Sequence, residues 1–160
     1  MLTITYKAIY SKFLSLVEAY DLTQVYNNST TTEDANELLR EWMNSVKSNP
    51  RVRRLFKTLI LDNDNQQLTC EINASQGDDA SDQDFVIDIF GIGMAYYWVH
   101  PKYLSVLNAA QMIGGKEEKF YSQANHMEQL ANMSKAAKEE MNKVIKDYNT
   151  MYNSYLSAKS

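Results

Sequence analysis

The side chains that could do chemistry in this chain are few and far apart. Two histidines occur, His100 and His126, and neither has a second histidine or a cysteine at ligand spacing, so no zinc site is expected. Each reads as a packing or hydrogen-bonding residue. Cys70 is the sole cysteine, which rules out an intramolecular disulfide and fits a reducing compartment. The stretch "DNDNQQLTCEIN" begins like a calcium loop at Asp62 and Asp64, but Gln67 stands where the turn glycine belongs and Asn73 where the closing glutamate belongs. It reads as an acidic loop. "GIG" at Gly91–Gly93 lacks the third glycine and a clear preceding strand, so it makes no dinucleotide fingerprint. No G-x-S-x-G, no phosphate loop and no Cys–His pairing with an orienting residue is visible. The acidic pairs Asp78–Asp79 and Glu139–Glu140 read as solvated faces. No catalytic, cofactor-binding or metal-ligating residue is expected, and no enzyme.

Composition agrees with an ordinary folded domain: 44% hydrophobic and 22% charged residues over 160 positions, enough to bury a real core. The N-terminus carries no basic, short-apolar leader, so secretion is not expected, and the Asn-X-Ser/Thr matches at Asn28, Asn73 and Asn132 carry little meaning. The longest apolar run, "IFGIGMAYYWV", is about half the ~20 residues that a membrane span needs, so it reads as buried and no membrane partner is expected. Net charge is −4, unevenly distributed. Lys47, Arg51, Arg53, Arg54 and Lys57 form a basic block free of acids, while 58–101 contains no lysine or arginine and eight acids. Such blocks can serve nucleic acid, a complementary neighbour, or solubility alone. In a chain that is acidic overall, the short basic block does not argue for nucleic-acid binding.

The elements that must position these residues are mostly helical. Ile9, Phe13, Leu16, Val17 and Tyr20 place a helix over 6–21. "NNSTTTE" interrupts it, and Thr30 with Glu33 forms a capping box for a helix carrying Ala35, Leu38, Leu39, Trp42, Met43 and Val46 on one stripe. Asn49 caps a further helical segment with Pro50 at its first position, and Val52, Leu55, Phe56, Leu59 and Ile60 form its inward face. Over 62–84 the helical pattern breaks. Leu68, Cys70 and Ile72 alternate with polar residues, which suggests one short strand or extended segment; alone it can build no sheet, so pairing with a neighbouring copy is expected. Ser81 with Asp84 caps the next element, where Ile89, Ile92, Tyr96 and Val99 step like a helix although Phe85, Ile87 and Ile89 alternate like a strand. Gly91 and Gly93 weaken that helix by roughly 1 kcal/mol each, which suggests a close approach of another backbone. Pro101 is expected to kink or break it. A second piece over 102–113 stops at Gly114–Gly115.

From Lys116 the chain reads as one long helix. Phe120, Met127, Ser134, Met141, Tyr148 and Tyr155 recur every seven residues, and Leu130, Ala137, Val144 and Met151 fill the second seam position. The stripe covers about forty residues, roughly 60 Å at 1.5 Å per residue, against roughly 30–35 Å for a compact domain of this length. Its final third, rich in tyrosine and methionine, is expected to protrude and dock into another protein as helix-in-groove ligands do. The fold class expected is mainly α: a small helical bundle with a long C-terminal helix and at most one short strand or extended loop. It is a single domain overall, with a helical core over 1–115 that includes the acidic loop 62–84, and the long helix over 116–160.

The order of these features, with "GMAYYWVHPKYLSVLNAAQMI" followed by "FYSQANHMEQLANMSKAAKEEMNKVIKDY", resembles the small neck proteins of tailed bacteriophages, the head–tail connector or adaptor class. The likeness runs over nearly the whole chain. Its most specific piece is 120–130, with "YSQANH" at 121–126, and second is the Trp98 region with its following proline. The helix start "FVIDIFGIG" departs from the polar, acidic start expected of that class. The resemblance implies a structural virion protein made in the host cytoplasm and incorporated in the neck. Copies would form a ring beneath the portal, twelve by analogy, joining it to an adjacent neck or tail protein while double-stranded DNA passes through without specific binding. Tyr148, Met151, Tyr152, Tyr155 and Leu156 would dock on the portal. Arg51, Arg53 and Arg54 of one copy would meet Asp78, Asp79 and Asp82 of the next, since separated opposite charges suit head-to-tail contacts that close into a ring. An acidic channel lining would let DNA slide, because phosphate binding needs lysine and arginine. The alternative is a soluble helical regulator or binding module that self-associates through the heptad stripe.

Overall fold

A computed structural model describes residues 1–29, 32–73, 78–113 and 118–151, with side chains for 1–27, 35–73, 78–107 and 127–147. The elements are β1 (Leu2–Thr5), α1 (Tyr6–Ala19), α2 (Thr23–Ser29), α3 (Thr32–Ser48), α4 (Pro50–Arg53), β2 (Phe56–Asp62), β3 (Gln67–Ile72), α5 (Asp79–Ile113) and α6 (Glu118–Met151). The chain is mainly α, but the expectation of at most one strand is wrong: β1, β3 and β2 form an antiparallel sheet in that order. β3 therefore finds both of its partners inside its own chain, and the neighbouring copy invoked for it is not needed.

Each missed strand has a local reason. The spacing of Leu55, Phe56, Leu59 and Ile60 is helical, yet the helix stops after the single turn of α4. Asn49 starts that turn by accepting a hydrogen bond from the Arg51 N–H at 3.0 Å, with Pro50 at its first position. Beyond it the chain extends, and Asp62 closes a four-residue turn that sends it back as β3. The Asp62 carboxylate accepts hydrogen bonds from the backbone N–H groups of Asp64 and Asn65, both at 3.1 Å, and from Asn65 Nδ2 at 2.7 Å. These bonds hold its pKa below the ordinary carboxylate value, the Asn65 side chain contributing most. The calcium-like stretch is a hairpin turn. Across the hairpin Leu59 faces Cys70 and Leu61 faces Leu68, with a one-residue irregularity between Phe56 and Thr58. β1 adds only four residues, Leu2 against Cys70 and Ile4 against Leu68.

α1 begins at Tyr6, capped by the Thr5 hydroxyl on the Ala8 N–H. It ends in a Schellman turn: the Leu22 N–H donates to the Val17 carbonyl and the Asp21 N–H to the Glu18 carbonyl, both at 3.0 Å, with Asp21 left-handed at φ 56°. Val17 and Leu22 are buried and supply the apolar contact typical of that turn. α2 then runs into the first three residues, 27–29, of the stretch read as an interruption, and Thr30 of the expected capping box lies outside the described residues.

α5 starts at Asp79, earlier than its apolar run suggests. Asp78 caps it, accepting from the Ala80 N–H at 3.1 Å and the Ser81 hydroxyl at 2.7 Å. The acidic region 62–84 thus holds a turn, a strand and a helix start. α5 also passes through Pro101 without ending. Pro101 is exposed, so the wet side of the helix bears the missing hydrogen bond. The ambiguous periodicity of 85–99 has a simple cause. α5 is the central helix, packed against α1, α3, α6 and β1, so apolar residues are spread around most of its circumference. Val86, Ile89, Phe90, Met94, Ala95 and Val99 are all fully buried.

The two glycines serve this packing. A Cβ on Gly91 would meet Lys12 Cγ at 2.5 Å, and one on Gly93 would meet Val46 Cγ2 at 2.7 Å. They let side chains of α1 and α3 settle against the α5 backbone. Around them Phe13 holds Tyr26, Trp42 and Trp98 at ring-centroid distances of 5.9, 5.5 and 6.0 Å, which ties α1, α2, α3 and α5 together.

Candidate interaction surfaces

The long last helix doubles back along α5. Leu130, Met133, Ser134, Ala137, Met141 and Ile145 are buried, and His100 Nδ1 lies 3.0 Å from Ser134 Oγ across the helix pair. A hydrogen bond from Arg51 on α4 to Asn142 makes a second tie. The seam read from the heptads is real, but from Leu130 to Ile145 it is filled by α5 of the same chain. The final third, expected to protrude, begins beyond Ile145; there the backbone is described only as far as Met151 and no side chain beyond Asp147. The described buried side chains of α5 stop at Val99, while its backbone runs on to Ile113, about 20 Å farther at ~1.5 Å per residue. Leu104, on that extension, is 42% exposed.

Of the residues expected to dock on a portal, Tyr148 and Met151 lie on the last turns of α6, where only the backbone is described, and Tyr152, Tyr155 and Leu156 lie outside the described residues. The charged residues expected between copies separate into distinct settings. Arg51, Arg53 and Arg54 are exposed around α4. Asp78 and Asp79 are exposed at the start of α5, and the Ser81 hydroxyl, followed by the Ala80 N–H, holds the Asp78 carboxyl below its ordinary pKa. Asp82 is 2% exposed and faces the interior, so as it stands it offers a neighbouring copy no surface. Sequence reasoning missed this because an acid in a loop and an acid on the inner side of a first helical turn look alike until the turn is placed.

Two concavities accompany these surfaces. The first, about 300 Å³, lies between α1, α5 and α6, with Leu16, Ile92, Ala95 and Met133 as its floor and Lys12, Asp88 and Glu140 at its rim. Lys12 Nζ is 3.5 Å from Asp88 Oδ1. Its described lining residues include no histidine, cysteine or serine. The second, about 360 Å³, lies beside β3 and includes Met1, Lys57, Cys70, Glu71 and Asp82. Burial pushes the Cys70 thiol up to about 11, so it remains protonated and unreactive near neutral pH. Tyr96 stacks on His100, ring centroids 5.2 Å apart, consistent with a packed histidine. The His126 side chain is not described.

Among the described residues no cluster of three His, Cys, Asp or Glu side chains could hold a metal ion, and no helix is long and apolar enough to cross a membrane. The described surface includes the paired helices α5 and α6, exposed arginines around α4 and an acidic hairpin turn. Comparison with known protein families, with curated proteins and with solved structures finds no match to this chain.

Proposed function

We propose that this chain is a non-enzymatic structural subunit of a tailed-phage neck, assembling with copies of itself in a ring between the portal and the adjacent neck or tail protein. The reading rests on the sequence likeness over Trp98–Pro101 and 120–130 and on one structural observation. The last described buried residue of α6 is Ile145, and the tyrosine- and methionine-rich stretch from Tyr148 to Leu156 follows it. Removing 147–160 therefore takes away no described core side chain, while it removes the candidate portal anchor. Aromatic anchors in a dry pocket typically cost about 2 kcal/mol or more each when truncated. The rival reading, self-association through the heptad stripe, is weakened because α5 already fills that stripe from Leu130 to Ile145.

The test is to make particles with tagged full-length chain and with a chain ending at Lys146. Full-length protein should appear in the neck, and the shortened one should melt like the parent yet be missing from particles. Wild-type occupancy of the shortened chain would remove the anchor, and absence of the full-length chain from purified particles would remove the neck reading altogether.

A further inference from the structure

Among the described residues the sheet ends on β2, and the ladder fixes which of its backbone groups point to the outer edge. The Tyr6 N–H donates to the Gln66 carbonyl at 2.9 Å, continuing the β1–β3 register in which Ile4 faces Leu68 and Leu2 faces Cys70. Hydrogen-bonded pairs alternate along an antiparallel ladder. Leu68 and Cys70 therefore turn their backbone groups to β1, and Gln67, Thr69 and Glu71 turn theirs to β2. The Asn73 N–H, bonded to the Leu55 carbonyl at 2.9 Å, follows the same alternation. On β2 it is then Thr58, Ile60 and Asp62 that bond β3. Leu59 and Leu61 present their N–H and C=O groups outward.

That edge is self-complementary. Leu59-Ile60-Leu61 reads the same in both directions, and β2 has no proline and no charge between Lys57 and Asp62 to guard it. We propose that two copies of this chain pair through the outer edge of β2, antiparallel about a two-fold axis at Ile60. In this register Leu59 exchanges both hydrogen bonds with the partner's Leu61, and Leu61 with the partner's Leu59, using every outward group of the regular part of the strand. Ile60, 52% exposed in one copy, meets the partner's Ile60 as a closely spaced non-hydrogen-bonded pair. The half-buried Leu59 and Leu61 lie side by side on the core face and continue it from one copy into the next.

Charge favours the same arrangement. The basic end of β2, with Arg53, Arg54 and Lys57, comes beside the acidic turn of the partner at Asp62 and Asp64. Registers shifted by two residues either bring the irregularity at Lys57 into the ladder or push Leu59 against the turn. A contact this small makes a weak dimer. It is also a closed one: a two-fold edge contact cannot propagate into a ring. It describes the free subunit and stands whether or not the neck reading does.

Cross-linking reads the register directly. Facing residues of a non-hydrogen-bonded pair have Cα atoms about 4.5 Å apart, within the range of a disulfide, and buried Cys70 does not interfere. Native full-length Ile60→Cys should oxidise to a covalent dimer. Thr58→Cys, which faces the partner's Asp62, should not cross-link alone but should do so when mixed with Asp62→Cys. Ile60→Lys, at an exposed position, should retain the parent's circular dichroism and melting while losing the dimer seen by sedimentation of concentrated protein. If Thr58→Cys alone cross-links as readily as Ile60→Cys, or if concentrated parent protein sediments as a monomer and Ile60→Cys gives no covalent dimer, the pairing is wrong.

Discussion

Replacing Gly93 with alanine sets two opposing effects against each other, and the geometry decides which wins. In an exposed helix, exchanging glycine for alanine gains about 1 kcal/mol of helix propensity. Here the new Cβ would lie 2.7 Å from Val46 Cγ2, 3.0 Å from Val46 Cγ1 and 3.4 Å from Val46 Cβ. Val46 is fully buried, and its β-branched side chain on α3 has one strongly preferred rotamer, so it cannot swing away. Relief requires α3 to move off α5, and overpacking of this kind costs about 1–3 kcal/mol. With both methyls and the Cβ of Val46 in the way, the upper part of that range applies, leaving Gly93→Ala about 2 kcal/mol less stable than the parent. Val46→Ala alone should also destabilise, by about 2 kcal/mol through the cavity it leaves. Combining the two should cost less than either sum or expectation from independent sites, because the alanine at 93 fills part of the space vacated at 46. Urea unfolding of the four proteins at constant slope measures the coupling. Should Gly93→Ala stabilise the protein by the propensity value, or the two changes simply add, α3 does not press on α5 as described.

Two further outcomes follow from backbone and burial. Asp21 adopts the left-handed conformation at φ 56° and is exposed, so Asp21→Gly should raise stability by about 0.5 kcal/mol, the removed strain exceeding the added chain entropy; a lower melting temperature would mean that the Asp21 side chain has another role. Burial raises the Cys70 pKa from 9.0 to about 11. A raised folded value means that its contribution is complete below pH 9 and is lost as the pH rises toward about 11, a fall of about 2–3 kcal/mol. Tyr10, pushed up chiefly by burial to about 12 from 10.0, extends the decline above pH 10. Urea midpoints across this range should fall less steeply for Cys70→Ala than for the parent, and parallel curves would show that the thiol does not titrate differently in the two states.

Helices were legible wherever a helix buries one face and carries its own caps. The stripe Ile9, Phe13, Val17 and the stripe Leu39, Met43, Val46 appear in the structure as read, and Asn49-Pro50 starts its short turn where its chemistry says it should. The hairpin left a trace that was passed over: the polar Asp62–Gln66 stretch lies between two short apolar runs, a turn signal as strong as the helical spacing before it. β1 left almost none. Four residues cannot hold a strand by themselves, and its partner lies more than sixty positions away in sequence. For the surfaces the same division holds. The charged blocks could be seen, but not that Asp82 turns inward while Asp78 and Asp79 face water.

The sequence by itself determined where helices can form, that a core exists, and which residue types line each stripe, because these depend on neighbours within a turn or two. Only the tertiary structure decided what each stripe packs against. A forty-residue apolar seam has the same pattern whether it meets a foreign subunit or folds back on its own chain, and a Leu-Ile-Leu run serves helix or strand alike. Those choices rest on contacts between α5 and α6, and between β3 and its two flanking strands, whose free energy exists only when distant segments meet.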